Sequence, residues 1–320
     1  MSINDISYTT EEISKLLKIS KLTVYDLIKK GEIISYRVGK QMRVDASDLE
    51  AYKNRTKGMQ GLERDVLQLQ HDSSDVVLTS PYSHTVRPIV ITGQDISLDI
   101  LAKYMEHKTP GVRPLRAYVG SLDSLISMYR GESDLVSTHL LDGDTGEYNL
   151  PFIRRVLVGS SYIVVNLLHR KAGLYVQQGN PFNLKSWQDL STPKLRIVNR
   201  EKGSGARVLL DEQLRLHGMT SEQLVGYDDE QSNHLGVAAK VSSGEADVGI
   251  GHAKAASIVG HVDFIPLIDE RYDLVMLKKP KNIVWVQSVI QIIQSNEFKQ
   301  ELAGIHGYDL SQTGQILLET

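Results

Sequence analysis

Apolar positions recur along this chain with two spacings, and the switches between them outline its elements. Ile13, Leu16 and Leu17 fall at i, i+3 and i+4 behind Thr9-Thr10-Glu11-Glu12, which predicts a short helix with a threonine cap and an acidic first turn. Ser20 opens a second helix, Lys21 to Lys30, with Leu22, Val24, Leu27 and Ile28 as its buried stripe and Gly31 as its stop. Two short helices a few residues apart make a helix-turn-helix. Ile33 to Val38, a Gly39-Lys40 turn and Gln41 to Val44 read as a hairpin, and Asp45 to Tyr52 as a closing capped helix. From 57 to 85 the periodicity fades into a connector, with at most a short helix through Leu62, Val66 and Leu69.

Beyond residue 86, short apolar runs alternate with helical patterns, as in an α/β domain with a mostly parallel sheet. Pro88 to Thr92 is a strand and Ile96 to Met105 a helix; Leu115 to Val119 is a strand and Ser124 to Tyr129 a helix; Gly131 to His139 is a third strand. Val156 to Leu168 is an apolar stretch suited to a crossover. Gly244-Glu245-Ala246-Asp247 then echoes Gly131-Glu132-Ser133-Asp134. Phe264 to Leu267 and Tyr272 to Leu277 read as return strands, and Glu297 through Asp309 as terminal helices.

Leu195 to Leu214 carries the most pointed chemistry. A strand (Leu195, Ile197, Val198) runs through Asn199-Arg200-Glu201-Lys202-Gly203-Ser204-Gly205 into a helix with Val208, Leu209 and Leu214. The first amides of such a helix have no intrahelical acceptors, and its dipole favours negative charge, so the loop is a seat for an anion. Gly203 and Gly205 allow close backbone approach, Ser204 adds a hydroxyl, and Arg200 and Arg207 supply charge. Ligands in α/β sheets sit beyond the carboxyl ends of strands, which adds Gln94, Ser121, Thr138 and His139, with Thr92 as a further hydroxyl. Asp95 and Asp123 lie in the same loops and would repel an oxyanion if they faced it; as helix caps they would not.

Composition narrows the classes. The 320 residues contain no cysteine, which excludes disulfides, thiolate metal sites and cysteine nucleophiles. The first residues carry no secretory pattern and no run reaches the ~20 apolar residues of a membrane span, so a cytoplasmic protein is expected. The net charge of −3 is uneven: residues 1–57 hold eleven Lys and Arg against eight Asp and Glu, a basic head on an acidic body. There is no G-x-S-x-G elbow around Ser204, no G-x-x-x-x-G-K-[ST] loop and no H-E-x-x-H, and His107, His217, His234, His252 and His261 lack ligand spacing. The expectation is a binding protein rather than an enzyme, with no metal and no cofactor.

YTTEEISKLLKISKLTVYDLIKKGEIISYRVGKQMRVDASDLEAY resembles the excisionase-type winged helix-turn-helix, related to the MerR heads. The resemblance implies double-stranded DNA as partner. Lys21, Thr23, Tyr25 and Lys29 would then line the recognition helix, with Arg37, Lys40 and Arg43 on the wing. A single head is a small footprint, so a homodimer reading two half-sites is expected. The body, through THLLDGDTGEYN, Gly179-Asn180-Pro181, NREKGSGAR, GEADVGIG and ERYDLV, resembles the type 2 periplasmic-binding-protein fold found behind such heads in bacterial one-component regulators. That implies a head over 1–56, a linker over 57–85 and a two-lobed sensor over 86–320. Lobe 1 would take about 86–165 and 262–320, and lobe 2 about 166–261. The molybdate and tungstate binders are the nearest likeness, implying an oxyanion effector held by hydroxyls, amides and an arginine. The alternatives are an amine, amino acid or polyol, or a DNA-tethered enzyme.

Overall fold

The computed structural model describes residues 7–39, 41–50, 52–53 and 87–320; Lys40 and the connector over 57–85, with its expected helix, lie outside the described residues. Two compact units divide at Pro81/Tyr82.

In the head, β1 (Ser7–Thr9) leads into α1 (Thr10–Leu17), α2 (Lys21–Lys29), β2 (Tyr36–Val38), β3 (Gln41–Asp45) and the helical residues 46–50 and 52–53 (α3). Thr9 and Glu12 cap α1 reciprocally, and Ser20 accepts from the Thr23 amide at the start of α2. β3 lies between β1 and β2 in an antiparallel sheet, so the hairpin is a wing with a third strand that the sequence pattern does not announce. Ile13, Val24, Ile33, Val44 and Leu49 form the core. Leu22, expected in this stripe, is 78% exposed instead. It stands two residues from fully buried Val24, about 200° round the helix, and therefore on the opposite side.

The body is built on β4 (Arg87–Thr92), β5 (Val112–Ala117), β6 (Leu135–Thr138), β7 (Tyr162–Gln177), β8 (Ile197–Arg200), β9 (Glu230–Gln231), β10 (Val248–His252) and β11 (Val262–Leu277). These join in the order β5-β4-β6-β11-β7-β10-β8-β9, and β12 (Tyr308–Asp309) and β13 (Ile316–Glu319) also pair with β7. β7 and β11 are 16 residues each and run antiparallel along almost their whole length, Val262 opposite Gln177 and Leu277 opposite Tyr162. One half of this ribbon continues the sheet of lobe 1 through β6, the other that of lobe 2 through β10. The chain thus crosses between lobes near His169–Lys171 and Asp269–Arg271, not at 165 and 262: Phe264, Ile265 and Leu267 pack in lobe 2.

Helices cover both faces. In lobe 1, α4 (Ser97–Lys108), α10 (Ile283–Gln294) and α11 (Asn296–Ala303) bury Leu98, Met105, Trp285 and Phe298 on one side. On the other, α5 (Ser121–Arg130) and α6 (Leu150–Val156) bury Leu125, Met128 and Ile153. In lobe 2, α7 (Gly205–Leu216) covers one face and α8 (His234–Ser242) and α9 (Ala253–Ile258) the other.

Several expected boundaries move for identifiable reasons. The two return strands are one strand, because the charged residues between them pair with β7 rather than forming a loop. The Val156–Leu168 stretch is divided, with α6 ending at Val156 and β7 starting at Tyr162 after Gly159. The third strand begins at Leu135, since Gly131 at φ +81° caps α5. Tyr308 and Asp309 are strand, not helix.

Candidate ligand cavity and DNA-binding face

On the head, Thr23 is occupied at the start of α2, its hydroxyl 2.8 Å from that of Ser20, and Lys21 leans on Glu11 at 3.5 Å. The Tyr25 hydroxyl accepts from Thr10 Oγ1 at 3.4 Å, while Lys29 and Arg37 stand exposed. Arg43 is half-buried in β3 and donates to Ser7 Oγ at 3.1 Å, so it braces the wing rather than standing free on it. Lys40 lies outside the described residues.

Within the body, a cavity of about 20 Å³ lies between the lobes, over the middle of the β7–β11 ribbon. That is room for about one water molecule, so a polyatomic ion enters only when the lobes part slightly. Arg170 and Glu270 face each other in register across the ribbon, and Arg170 Nε donates to Glu270 Oε2 at 2.5 Å and its Nη1 to Asp95 Oδ2 at 2.6 Å. His139 Nδ1 donates to the other Glu270 oxygen at 2.6 Å, and the Tyr272 ring lies against both His139 and Arg170. Burial raises the Glu270 carboxyl, but the charges of Arg170 and His139 outweigh it and hold the group below the usual carboxylate range. Asp95 behaves likewise, with burial overcome by Arg170, Ser97 and Tyr308.

From lobe 2, Arg200 reaches the same space. Its Nη2 donates to Gln94 Oε1 at 2.6 Å and to Glu201 Oε1 at 2.8 Å, and Gln94 Nε2 donates back to Glu201 Oε1 at 3.1 Å. The lobes are therefore in contact across the cavity. Leu122 N, on lobe 1, also donates to Gly203 O at 2.9 Å. Arg170 Nη2 and Arg200 Nη1 have no acceptor among the described residues.

Three helices of nine or more residues begin at this wall: Ser121 opens α5, Ser204 and Gly205 open α7, and His234 opens α8. α4 starts behind Asp95, whose carboxylate and carbonyl take its first amides. His252, at the start of short α9, meets His234 with ring centroids 4.4 Å apart. Burial and then Arg170 push His252 down to about 3, and burial and Arg200 push His234 well below its ordinary value, so both rings are neutral near pH 7. Each keeps a buried Nδ1 without a partner among the described residues.

Of the residues singled out in the sequence, Gln94, Ser121, His139, Arg200, Ser204 and Gly205 line the cavity. Four others are redirected. Arg207 turns away to Glu230, Asp211 and the carbonyl of Arg200, with its guanidinium on the Tyr227 ring. Gly203 (φ +83°) turns the loop against Asp123, whose carboxylate would lie 2.8 Å from an added Cβ. Thr138 is buried opposite Asp273 in the sheet, and Thr92 bonds to Ser133. Asp123 is thus outside the wall, whereas Asp95 lines it with both oxygens engaged by Arg170, Ser97 and Tyr308. Sequence reasoning missed Arg170, Glu270, His234, His252 and Tyr272. The clusters of charge in His169-Arg170-Lys171 and Asp269-Glu270-Arg271, each flanked by apolar residues and opposite in sign at the centre, are the signal that could have found the first two.

Residues 102–294 match the PBP superfamily domain and residues 7–57 a helix-turn-helix domain. The chain belongs to the PBP superfamily domain family, with a helix-turn-helix domain in front, an arrangement that fits a ligand-responsive DNA-binding regulator. Among relatives it is 50% identical over 317 residues, 98% of each chain, to the uncharacterized protein YvgK of Bacillus subtilis. It is 46% identical over 112 residues, 35% of this chain and 99% of the other, to an uncharacterized protein in the ferredoxin 2Fe-2S gene 5′ region of Clostridium pasteurianum. Similar solved structures include a hydrogen-peroxide-bound cysteine-to-serine mutant of Corynebacterium glutamicum OxyR (TM-score 0.54, 11% identity, covering 93% of this chain and 89% of that one). Another is the sulfate-binding protein SubI of Mycobacterium tuberculosis (TM-score 0.50, 14% identity, 69% and 85% covered). At these identities the likeness is one of fold. No helix among the described residues is long and apolar enough to cross a membrane.

Proposed function

We propose that this chain is a cytoplasmic, dimeric one-component transcriptional regulator whose effector is a small oxyanion, molybdate or tungstate, held between the lobes. The observation that carries the reading is the convergence of three helix N-termini and two buried guanidinium groups on one cavity between the lobes. Helix starts favour anions, and the open nitrogens of Arg170, at the crossing, and Arg200, on lobe 2, offer charge-assisted bonds. The carboxylates in the wall do not defeat this, because Asp95, Glu270 and Glu201 already accept from arginines. A binder suits the site better than an enzyme: Ser204 Oγ accepts from the Arg207 amide as a helix cap, and His139 is tied to Glu270. An anion bridging the two arginines stabilises the closed lobes, and closure alters how two heads engage an operator, with typically about 1–3 kcal/mol of coupling.

One observation favours a second reading, an organic metabolite. A groove of about 490 Å³ shares Gln94, Asp95, His234 and His252 with the cavity and adds Ile96, Tyr118, Leu235 and Ile258, enough for an organic body. Thermal unfolding of the full chain with molybdate, tungstate, sulfate, phosphate, amino acids, organic acids and polyols separates the two. A ligand at 100 times its Kd adds about 2.7 kcal/mol. Stabilisation by molybdate or tungstate supports the oxyanion; stabilisation only by an amine or polyol overturns it in favour of the groove.

A further inference from the structure

The outward side of α2 carries a side chain for which the folded head has no use. Leu22 is 78% exposed in the first turn, while Val24, Leu27 and Ile28 hold the helix to the core. Its neighbours do not make this a phosphate-binding side. Lys21 leans back to Glu11, and Asp26, one turn on, is an exposed carboxylate that phosphate repels. Exposed cations stand elsewhere on the head, at Lys29 and Lys30 about two turns further along α2 and at Arg37 on the wing, where they match a duplex backbone.

The first turn of the second helix in such a motif is the part that meets base edges in the major groove. A leucine there can bond to none of the amino, carbonyl or ring-nitrogen groups and would strip water from them without replacing it. The major groove holds one apolar group, the C5-methyl of thymine. We propose that Leu22 is a specificity-determining residue that packs against a thymine methyl group, so that each half-site carries a thymine at a fixed position. This rests on the helix-turn-helix reading of the head and is independent of the effector.

The test uses the full chain and the duplex it enriches most strongly from a random pool. Each thymine is replaced singly by deoxyuracil, which removes only the methyl group, and Kd is measured at constant salt for wild type, Leu22→Ala and Leu22→Met. The expected result is one position per half-site where wild type loses about fourfold on methyl removal, the worth of one buried methyl-sized group. Leu22→Ala is expected to bind the thymine duplex correspondingly weaker and to be indifferent to the replacement, and Leu22→Met to restore much of the discrimination. Unchanged melting temperature and oligomeric state in Leu22→Ala show that the loss is one of contact. The proposal is overturned if no position distinguishes wild type from Leu22→Ala, if Leu22→Ala changes the oligomeric state, or if no duplex is enriched; the last also removes the DNA-binding premise.

Discussion

A glycine decides how closely the two lobes approach. An added Cβ at Gly205 would lie 2.3 Å from the His139 ring, which has no room to move because Glu270 holds one edge and Tyr272 its face. Gly205→Ala is therefore expected to hold the lobes apart. It should reduce affinity for the effector by at least about tenfold and cost roughly 1–3 kcal/mol of body stability, while DNA binding by the head persists. Ligand titration beside gel-shift measurement on the same variant checks this, and an alanine variant that still takes up ligand with native affinity contradicts it. At this scale the sequence was partly readable. The glycine spacing and its serine pointed to the loop, whereas Arg207, beside them in sequence, is turned away by the helix it sits on. The two histidines of the wall are 18 positions apart in the chain and meet only because α8 and α9 both start there.

At the scale of elements, strand–loop–helix units were legible because the apolar spacing changes from two to three or four. The long ribbon was not. Its middle is charged, and charge inside an apolar run reads as a loop unless its partner, a hundred residues away, is known. That buried middle sets the acid response. His252 and His234 have folded pKa values below their unfolded ones, so the unfolded chain binds more protons and stability falls as pH drops below about 6.5. Asp95 and Glu270 are also lowered in the fold, so their contribution is present above about pH 4 and is lost as pH falls towards their folded values. Both effects have the same sign. The melting temperature of the body should fall steadily from pH 7 to pH 4, and His252→Asn should flatten the upper part of that decline; a wild-type melting temperature constant across this range would contradict the assignment.

For the whole molecule, the proposal divides labour between separable surfaces. Arg200→Ala should abolish stabilisation by the effector while leaving operator binding without effector within about twofold, since the two surfaces belong to separate compact units. Arg37→Ala should do the reverse, weakening DNA binding across sequences and lowering the salt slope by about one. Arg200→Ala with native ligand affinity would move the site elsewhere. The two-part organisation was visible in the change of charge and periodicity near residue 57, and the two-lobed body through its resemblance. The crossing points were not visible, because nothing local in the sequence marks where a continuous strand passes from one sheet to another.

The crossing also orders the assembly of the chain. Lobe 2 is one unbroken segment whose two ends leave on neighbouring strands, so its core is complete once Ile265, Leu267 and Ile268 are made. Lobe 1 begins earlier but completes its core only with Trp285, Val289 and Phe298, near the far end. Since contacts distant along the chain close slowly, a ribosome is expected to release a molecule in which the Arg200 wall is already folded and the Asp95 wall is still waiting for its last helices. A nascent or truncated chain would then carry half a sensor and a complete head.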